Sequence, residues 1–146
     1  MSSLTVYFKR FDSTLPIPEY KSSGAAAFDL YARQTVTIEP LNIGYIPLNI
    51  ALQLPDDHWA LVSARSSLHK RGLFLANGIG VGDHDFCGPD DEYKAPVFNF
   101  TNQSVIIDRG ERVVQMIILQ RDAANLVEKA DFMGKSRGGF GTTGRK

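Results

Sequence analysis

The chain has 146 residues with 16 basic and 16 acidic side chains, so its formal net charge at neutral pH is zero. This length predicts one domain with a sizeable hydrophobic core. Balanced charge provides no overall field to attract nucleic acid or an anionic membrane, and apolar runs such as residues 113–119 are too short to span a bilayer. We therefore expect neither nucleic acid nor a membrane among its partners.

Two features indicate the compartment. The N-terminal residues lack the apolar run and the cleavage pattern of a secretory signal. Cys87 is the only cysteine, so an intramolecular disulfide is impossible and a reducing compartment is the default. We expect a cytoplasmic protein.

Short segments rich in Val, Ile, Tyr, Phe and Thr recur along the chain, separated by clusters of Pro, Gly, Asn and Asp. This pattern is typical of β-strands bounded by turns. In chain order, the predicted strands cover residues 4–8, 35–38, 44–54, 59–63, 95–100, 104–107 and 113–119. One short helix is predicted over residues 66–71, where Gly72 is suited to end it. Many short strands with almost no helix predict an all-β sandwich or barrel.

The first candidate for chemistry is a run of small residues at positions 24–27, which Phe28 and Asp29 follow. Small residues permit close approach of another backbone, and they leave Asp29 as a single carboxylate among apolar neighbours. Taken alone, this pattern favours the tight start of a strand in which Asp29 bonds to local backbone N–H groups.

The second candidate is the sequence Arg65-Ser66-Ser67. If Ser66 opens a helical turn, its hydroxyl and the free N–H groups there form an anion site with Arg65 beside it. Ordinary capping of a helix by Ser66 or Ser67 explains the same residues equally well.

The third candidate begins with glycines at alternate positions within residues 78–82, and Asp83, Asp85 and Phe86 follow. Alternating glycines weaken a strand, which indicates that another group approaches its backbone closely. One carboxylate could orient a water for attack while the aromatic ring packs against a sugar or base. A hairpin in which the aspartates form Asx turns is the structural alternative.

The fourth and fifth candidates lie in the C-terminal third of the chain. Gln115 interrupts an apolar strand, and a buried amide must find a partner on a neighbouring strand or a ligand. Residues 135–146 combine glycines, cations and hydroxyls with one aromatic side chain, Phe140. Such a segment cannot build a core, but it could close over something flat and anionic; a frayed polar terminus is the alternative.

Together, in this order, the five motifs resemble the trimeric dUTP diphosphatase family over nearly the whole chain. They read small-residue Phe-Asp-Leu, Arg-Ser-Ser-Leu, a glycine-rich Asp-x-Asp-aromatic hairpin, Arg-x-x-Gln, and a terminal Gly-Gly-Phe-Gly-Thr-Thr-Gly. The resemblance implies a jelly-roll-like distorted β-barrel with a short helix and a flexible tail. The barrel domain would cover residues 1–134, and residues 135–146 would form a flap that closes the active site. It also implies a homotrimer with composite sites at the subunit interfaces.

The resemblance further implies Mg²⁺-dependent hydrolysis of dUTP to dUMP and pyrophosphate, which limits uracil incorporation into DNA and supplies dUMP for thymidylate synthesis. Asp83 would be the catalytic base, and Asp29 would lie near the metal ion, through water. The implied substrate-binding residues are Arg65, Ser66, Ser67, Asn77, Gly80, Val81, Phe86, Gln115, Arg137, Phe140, Gly141, Thr142 and Thr143.

Several positions depart from the family pattern. Phe86 replaces the usual tyrosine, and Gly82 stands where a branched residue usually precedes the aspartate. Either Arg137 or Lys135 could grip the γ-phosphate, and we favour Arg137 because a guanidinium binds bidentately. The acidic loop, residues 89–93, is longer than usual, and we expect it to point away from a triphosphate.

Two other functions on the same scaffold remain open. One is a dCTP deaminase, or a bifunctional enzyme, but no glutamate lies between Asn77 and Gly88, where that chemistry needs one beside the base. The other is a non-catalytic nucleotide sensor, which the presence of both Asp83 and the tail disfavours.

Overall fold

The described part of the chain, residues 3–145 of a computed structural model, contains eleven short strands and one 3₁₀ helix. The first two residues of the predicted domain 1–134 and the last residue of the predicted flap 135–146 lie outside the described residues. The strands are β1 Tyr7–Arg10, β2 Phe28–Tyr31, β3 Val36–Ile38, β4 Ile43–Pro47, β5 Ile50–Gln53, β6 His58–Ala64, β7 Leu73–Leu75, β8 Gly80–Gly82, β9 Lys94–Asn99, β10 Val105–Ile107 and β11 Arg112–Gln120. This content confirms the all-β prediction.

Three local predictions differ from the structure. The strand predicted over residues 44–54 is divided into β4 and β5, because Asn49 adopts a left-handed conformation with φ 65°. The helix starts at Leu68 rather than Ser66 and is a 3₁₀ turn, which Gly72 ends with φ 78° as expected. The short strands β7 and β8 were not among the predicted strands, and β2 was indicated only by the strand start expected at Asp29, because strands of three or four residues depend on their partners more than on their own composition.

Antiparallel pairing joins the strands into four small sheets. Their orders are β2-β11-β6-β8, β4-β9-β7, β1-β5 and β3-β10. Most neighbours in these sheets are distant in sequence, so the chain crosses repeatedly from one sheet to another around a single core. Among residues 3–145, no helix is long and apolar enough to cross a membrane.

Alternate side chains of the strands fill the core because successive residues of a strand point to opposite faces. In β9, for example, Ala95, Val97 and Asn99 are buried while Lys94 is exposed. The largest fully buried apolar side chains are Leu30, Ile38, Ile46, Leu48, Leu73, Val97, Ile107, Val114 and Met116.

Beyond β11, a C-terminal arm, residues 121–134, leaves the barrel with several apolar side chains exposed. Leu126, Val127, Phe132 and Met133 are each more than two-thirds exposed. The flap continues from the arm, and Phe140 is likewise fully exposed. Contiguous exposed apolar side chains typically mark a surface that another molecule covers.

Asn99 is a buried polar residue at the end of β9, and its amide joins three parts of the chain. Its Nδ2 donates to the carbonyls of Ile38 at 2.9 Å and Gln103 at 2.7 Å. Its Oδ1 accepts from the backbone N–H of Thr101 at 2.9 Å and from the hydroxyl of Thr101 at 2.7 Å. The amide therefore ties the end of β9 to β3 and to the turn that follows, and its bond to the Ile38 carbonyl is buried.

We expect Asn99→Ala to lower the free energy of unfolding by about 2–4 kcal/mol, because it leaves buried partners without hydrogen bonds. Urea unfolding at equal protein concentrations measures the change. The matched control is Asn42→Ala, whose exposed amide bonds only to the nearby Pro40 carbonyl. Equal effects of the two substitutions would contradict a structural role for the buried network.

Candidate active site

The glycine-rich segment predicted as a hairpin contains one strand, β8, which pairs with the distant β6 rather than with a neighbour in sequence. The segment, still called the hairpin below, borders an open cavity of about 580 Å³, here called the hairpin cavity. Five of the predicted site residues line it: Asn77, Gly80, Val81, Asp83 and Phe86. The structure therefore brings together the residues expected to contact the base and sugar with the expected catalytic base.

The pairing of β8 with β6 positions this hairpin. Gly80 lies opposite Val62, and Gly82 lies opposite Ala60. A Cβ atom at Gly80 would lie only 3.0 Å from the Val62 Cβ, so the glycine permits this close pairing. Asp83 follows directly and is exposed in a turn that the Phe86 N–H closes on the Asp83 carbonyl at 3.2 Å. The turn leaves the carboxylate exposed at the edge of the cavity.

Tyr93 supports the hairpin from below, although the sequence reasoning did not single it out. Its ring meets Phe86 edge to face, with 5.2 Å between the ring centroids. Its hydroxyl is buried and has no hydrogen-bond partner among the described residues. Burial, together with the negative charge of Asp83, raises the pKa of Tyr93 to about 12. The missing side chain at Gly82 was the sequence signal that a large residue packs there.

The acidic loop borders the hairpin cavity, and its orientation relative to a triphosphate stays a prediction. Asp90, Asp91 and Glu92 line the same cavity as Asp83. Both carboxylate oxygens of Glu92 accept from the Arg33 guanidinium, at 2.7 and 2.9 Å, and this pair holds the pKa of Arg33 above its ordinary value. The ion pair draws the loop inward against the barrel.

Asp29 forms ion pairs with two arginines at the opposite end of β6. Its Oδ1 lies 3.2 Å from Arg65 Nε, and its Oδ2 accepts from Arg112 at 3.0 Å. Arg65 also donates to the Arg112 carbonyl at 3.1 Å. The expected bonding of Asp29 to local backbone N–H groups is therefore replaced by long-range charge pairing. Arg112 belongs to the Arg-x-x-Gln motif, but its partner could not be read from that motif.

A second cavity of about 410 Å³, here called the basic cavity, adjoins these arginines. Its polar lining consists of Arg65, Ser67, Lys70, Arg71, Glu111 and Arg112. Ser67 precedes the 3₁₀ helix without a side-chain capping bond, so capping does not explain its hydroxyl. Gln115 lies nearby in β11, and its Nε2 donates to the Ala64 carbonyl at 3.0 Å, the inter-strand bond expected as one alternative.

The predicted site residues thus form three groups in one chain. Asp83 follows Gly82, which pairs with Ala60, whereas Arg65 follows the other end of β6, and the backbone from Ala60 to Arg65 spans about 17 Å. The flap, which carries Arg137, Phe140, Gly141, Thr142 and Thr143, is the third group. Its hydrogen bonds, within residues 135–145, close local turns from Thr142 to Gly139 and from Gly144 to Gly141.

Asp29 is the one predicted site residue expected near a metal ion. Within residues 3–145, no three His, Cys, Asp or Glu side chains are arranged to hold a metal ion by themselves. Both oxygens of Asp29 already face a guanidinium, so direct coordination would compete with these ion pairs. Mg²⁺ usually keeps several of its waters, and contact with Asp29 through water stays a prediction.

Comparison with known proteins shows the family to which this chain belongs. The dUTPase family model matches residues 13–144. The chain belongs to the dUTPase family. Two relatives are named deoxyuridine 5'-triphosphate nucleotidohydrolase. That of Desulfitobacterium hafniense is 39% identical over 145 residues, covering 95% of this chain and 94% of the relative. That of a Hydrogenobaculum species is 34% identical over 142 residues, covering 94% and 96%. As a member of this family, the protein is a hydrolase of nucleotide metabolism.

Solved dUTPase structures share the fold. The dUTPase from Streptococcus mutans superimposes with a TM-score of 0.74 and 26% identity, covering 81% of this chain and 98% of that one. A mutant dUTPase of Staphylococcus bacteriophage 80alpha, solved with dUpNHpp, has a TM-score of 0.83 at 20% identity and covers 96% and 98%. These likenesses confirm the jelly-roll-like barrel.

We expect Asp29→Asn to lower the free energy of unfolding by about 1–3 kcal/mol, because two partly buried guanidinium groups lose their counter-charge. The side chain of Asp29 is 15% exposed. Glu19→Gln is the matched control, because Glu19 pairs with Lys21 at the surface and exposed pairs contribute little. Thermal and urea unfolding measure the change. An equal loss of stability in the two variants would contradict the structural role of Asp29.

Proposed function

We propose that the protein hydrolyses dUTP to dUMP and pyrophosphate, and so limits uracil incorporation into DNA while supplying dUMP for thymidylate synthesis. The observation that supports this most directly is the hairpin cavity, where an exposed carboxylate, Asp83, borders the same space as Asn77 and Phe86. Membership of the dUTPase family supplies the substrate class. A single cysteine, Cys87, cannot form an intramolecular disulfide, which favours a reducing compartment. A cytoplasmic location stays a prediction.

Asp83 is proposed as the general base. It orients a water and takes its proton on a carboxylate oxygen as the water oxygen attacks the α-phosphorus. The bond from that phosphorus to the bridging oxygen breaks, and pyrophosphate leaves from the opposite side. In-line displacement depends on positioning and charge neutralisation, and a positioned base contributes on the order of 10²–10⁴-fold.

The hairpin is proposed to select the base and the sugar. Backbone groups of β8, with the Asn77 side chain, pair with the N3–H and O4 of uracil, whereas cytosine would leave those groups unpaired. Phe86 packs beneath the deoxyribose and occupies the space that a 2′-hydroxyl needs. Its edge-to-face contact with Tyr93 holds the ring in place.

The basic cavity is proposed to hold the triphosphate. Arg65, Ser66, Ser67 and Gln115 contribute cations and hydrogen-bond donors that suit phosphate oxygens. Asp29 is suited to hold Mg²⁺ through water, and the bound ion would neutralise charge that develops on the phosphate oxygens. The pairing of Asp29 with Arg65 and Arg112 orients both guanidinium groups before the nucleotide binds.

A homotrimer with composite sites is proposed because one chain separates the two cavities. About 17 Å of backbone lies between Ala60, which pairs with the residue before Asp83, and Arg65, so the two groups of site residues leave β6 at opposite ends. A second subunit can bring its basic cavity to the hairpin cavity of the first. The exposed apolar side chains of the C-terminal arm support assembly, since a partner would cover them.

The flap, residues 135–146, is proposed to close over the nucleotide from a neighbouring subunit. Phe140 stacks on uracil, while Arg137 and the 141–143 segment contact the γ-phosphate. The ordering of a glycine-rich segment costs about 1–2 kcal/mol per residue, so the bound nucleotide must supply the compensating contacts. Closure would exclude water other than the nucleophile.

The deaminase alternative has one possible glutamate, because Glu92 lines the hairpin cavity. Its carboxylate accepts from two nitrogens of Arg33, Nε and Nη2, and also accepts the Asn49 N–H at 3.0 Å. Both carboxylate oxygens are therefore already engaged by protein donors, so Glu92 is poorly placed to contact a nucleobase. The diphosphatase is therefore the better-supported function.

An assay of pyrophosphate and ammonia release on a panel of nucleotides tests the function. We expect equal amounts of dUMP and pyrophosphate from dUTP, turnover lower by about 10²-fold or more on dCTP and dTTP, and no ammonia from dCTP. Chelation of Mg²⁺ should suppress turnover, and re-addition should restore it. Ammonia release would favour a deaminase, and binding of dUTP without products would favour a sensor.

Mixing two inactive chains tests the composite site. We expect Asp83→Asn, and separately a chain that ends at Gly134, to lose nearly all turnover. In equal mixtures with demonstrated subunit exchange, about a quarter of the sites should combine an intact Asp83 with an intact flap, so activity should return. In the control mixture, a chain that carries Asp83→Asn and also ends at Gly134 replaces the Asp83→Asn chain. This mixture contains no intact flap and should stay inactive. No recovery above that control would contradict flap sharing between subunits.

A further inference from the structure

Tyr93 is held rigidly at the floor of the hairpin cavity. Its N–H donates to the Ile50 carbonyl at 3.0 Å, and its own carbonyl accepts the Leu48 N–H at 2.9 Å. The preceding residue, Glu92, is fastened by Arg33. Only 6% of Tyr93 is exposed. The backbone on both sides of the ring is therefore fixed by Ile50 of β5, by Leu48 and by a partly buried ion pair.

The end of the Tyr93 ring packs directly beneath the residue that precedes Asp83. A Cβ atom at Gly82 would lie 2.2 Å from the Tyr93 Oη and 2.7 and 2.8 Å from the ring atoms Cε1 and Cζ. The hydroxyl therefore occupies the space that a side chain at Gly82 would take. Gly82 and Tyr93 therefore form one packing unit at the base of the turn that carries Asp83, here called the catalytic turn.

Among residues 3–145 the hydroxyl has no hydrogen-bond partner, although it is fully buried. A buried hydroxyl without a partner is unfavourable, so such a group usually serves a bound species or a change of geometry. The ring lines the same cavity as Asp83, and the charge of Asp83 contributes to the raised pKa of Tyr93. Tyr93 therefore stays a neutral donor, and the ionised Asp83 is an acceptor only.

We infer that Tyr93 is a positioning residue for Asp83, whose hydroxyl donates a hydrogen bond to the Asp83 carboxylate, directly or through one water, once nucleotide fills the hairpin cavity. The bond would orient the carboxylate toward the attacking water. This inference rests on the proposed hydrolysis of dUTP. It assigns to this reaction a group that the five motifs do not contain.

The test is Tyr93→Phe in the full chain, which removes the hydroxyl and keeps the ring that supports Phe86. We expect kcat on dUTP to fall by roughly tenfold or more, as for a lost hydrogen bond to a charged group, with KM within about twofold. Because the hydroxyl has no partner in the free chain, the midpoint of thermal unfolding should stay within about 2 °C or rise. The control is Tyr7→Phe, at an exposed tyrosine on β1 outside the hairpin cavity, which should change neither quantity.

The outcomes separate this inference from the proposed function. If the parent chain does not turn over dUTP, both the proposed function and the role of Tyr93 are wrong. If the parent is active and the Tyr93→Phe variant keeps more than half of its kcat, only the role of Tyr93 is wrong. A fall in kcat that is matched by an equal loss of thermal stability would show a structural residue and would also overturn the inference.

Gly82→Ala provides an independent test because its Cβ would displace the hydroxyl without removing it. We expect the single substitution to lower kcat at least as much as Tyr93→Phe. In the double variant, Tyr93→Phe should then cost less than about twofold further, since the hydroxyl has already left its place. Additive losses in kcat would mean that the two residues act separately, and this result would contradict the inference.

Discussion

The pairing of β6 on both of its edges is the constraint on which the site depends. Its register with β11 and β8 positions the catalytic turn beside one end of the strand and the Arg65 segment at the other. A β-strand is stiff and rises about 3.3 Å per residue, so this separation cannot be closed by small adjustments. Under the proposed function, a rigid subunit needs neighbouring copies to complete a site, and catalysis becomes a property of the assembly.

Charge is separated within a chain that is neutral overall. Four cationic side chains and one acidic side chain line the basic cavity, while four carboxylates and one lysine line the hairpin cavity. Most of the acids beside Asp83 are restrained by local partners, as Glu92 is by Arg33 and Asp91 by the Gly88 N–H. Overall charge therefore says little about what such a protein binds, because the local fields of the two cavities are opposite in sign.

Complementary side-chain volumes set the geometry of the catalytic turn. Gly82 has no side chain, Tyr93 fills that space from β9's N-terminal side, and Phe86 leans on the Tyr93 ring. Close packing of this kind transmits a change at one member to the other two. The hydroxyl of Tyr93 adds a polar group to an otherwise apolar contact, and it has no hydrogen-bond partner among residues 3–145.

The sequence by itself determined the all-β class, most of the longer strands and the order of motifs that identifies the family. These are local or linear properties: residue type, alternation and spacing along the chain. Only the tertiary structure decided that Asp29 pairs with Arg112, 83 residues away, that Glu92 draws the acidic loop inward, and that Tyr93 lies beneath Gly82. Such contacts depend on strand register between distant segments and on side-chain volume in three dimensions, and neither is written in the composition of any one segment.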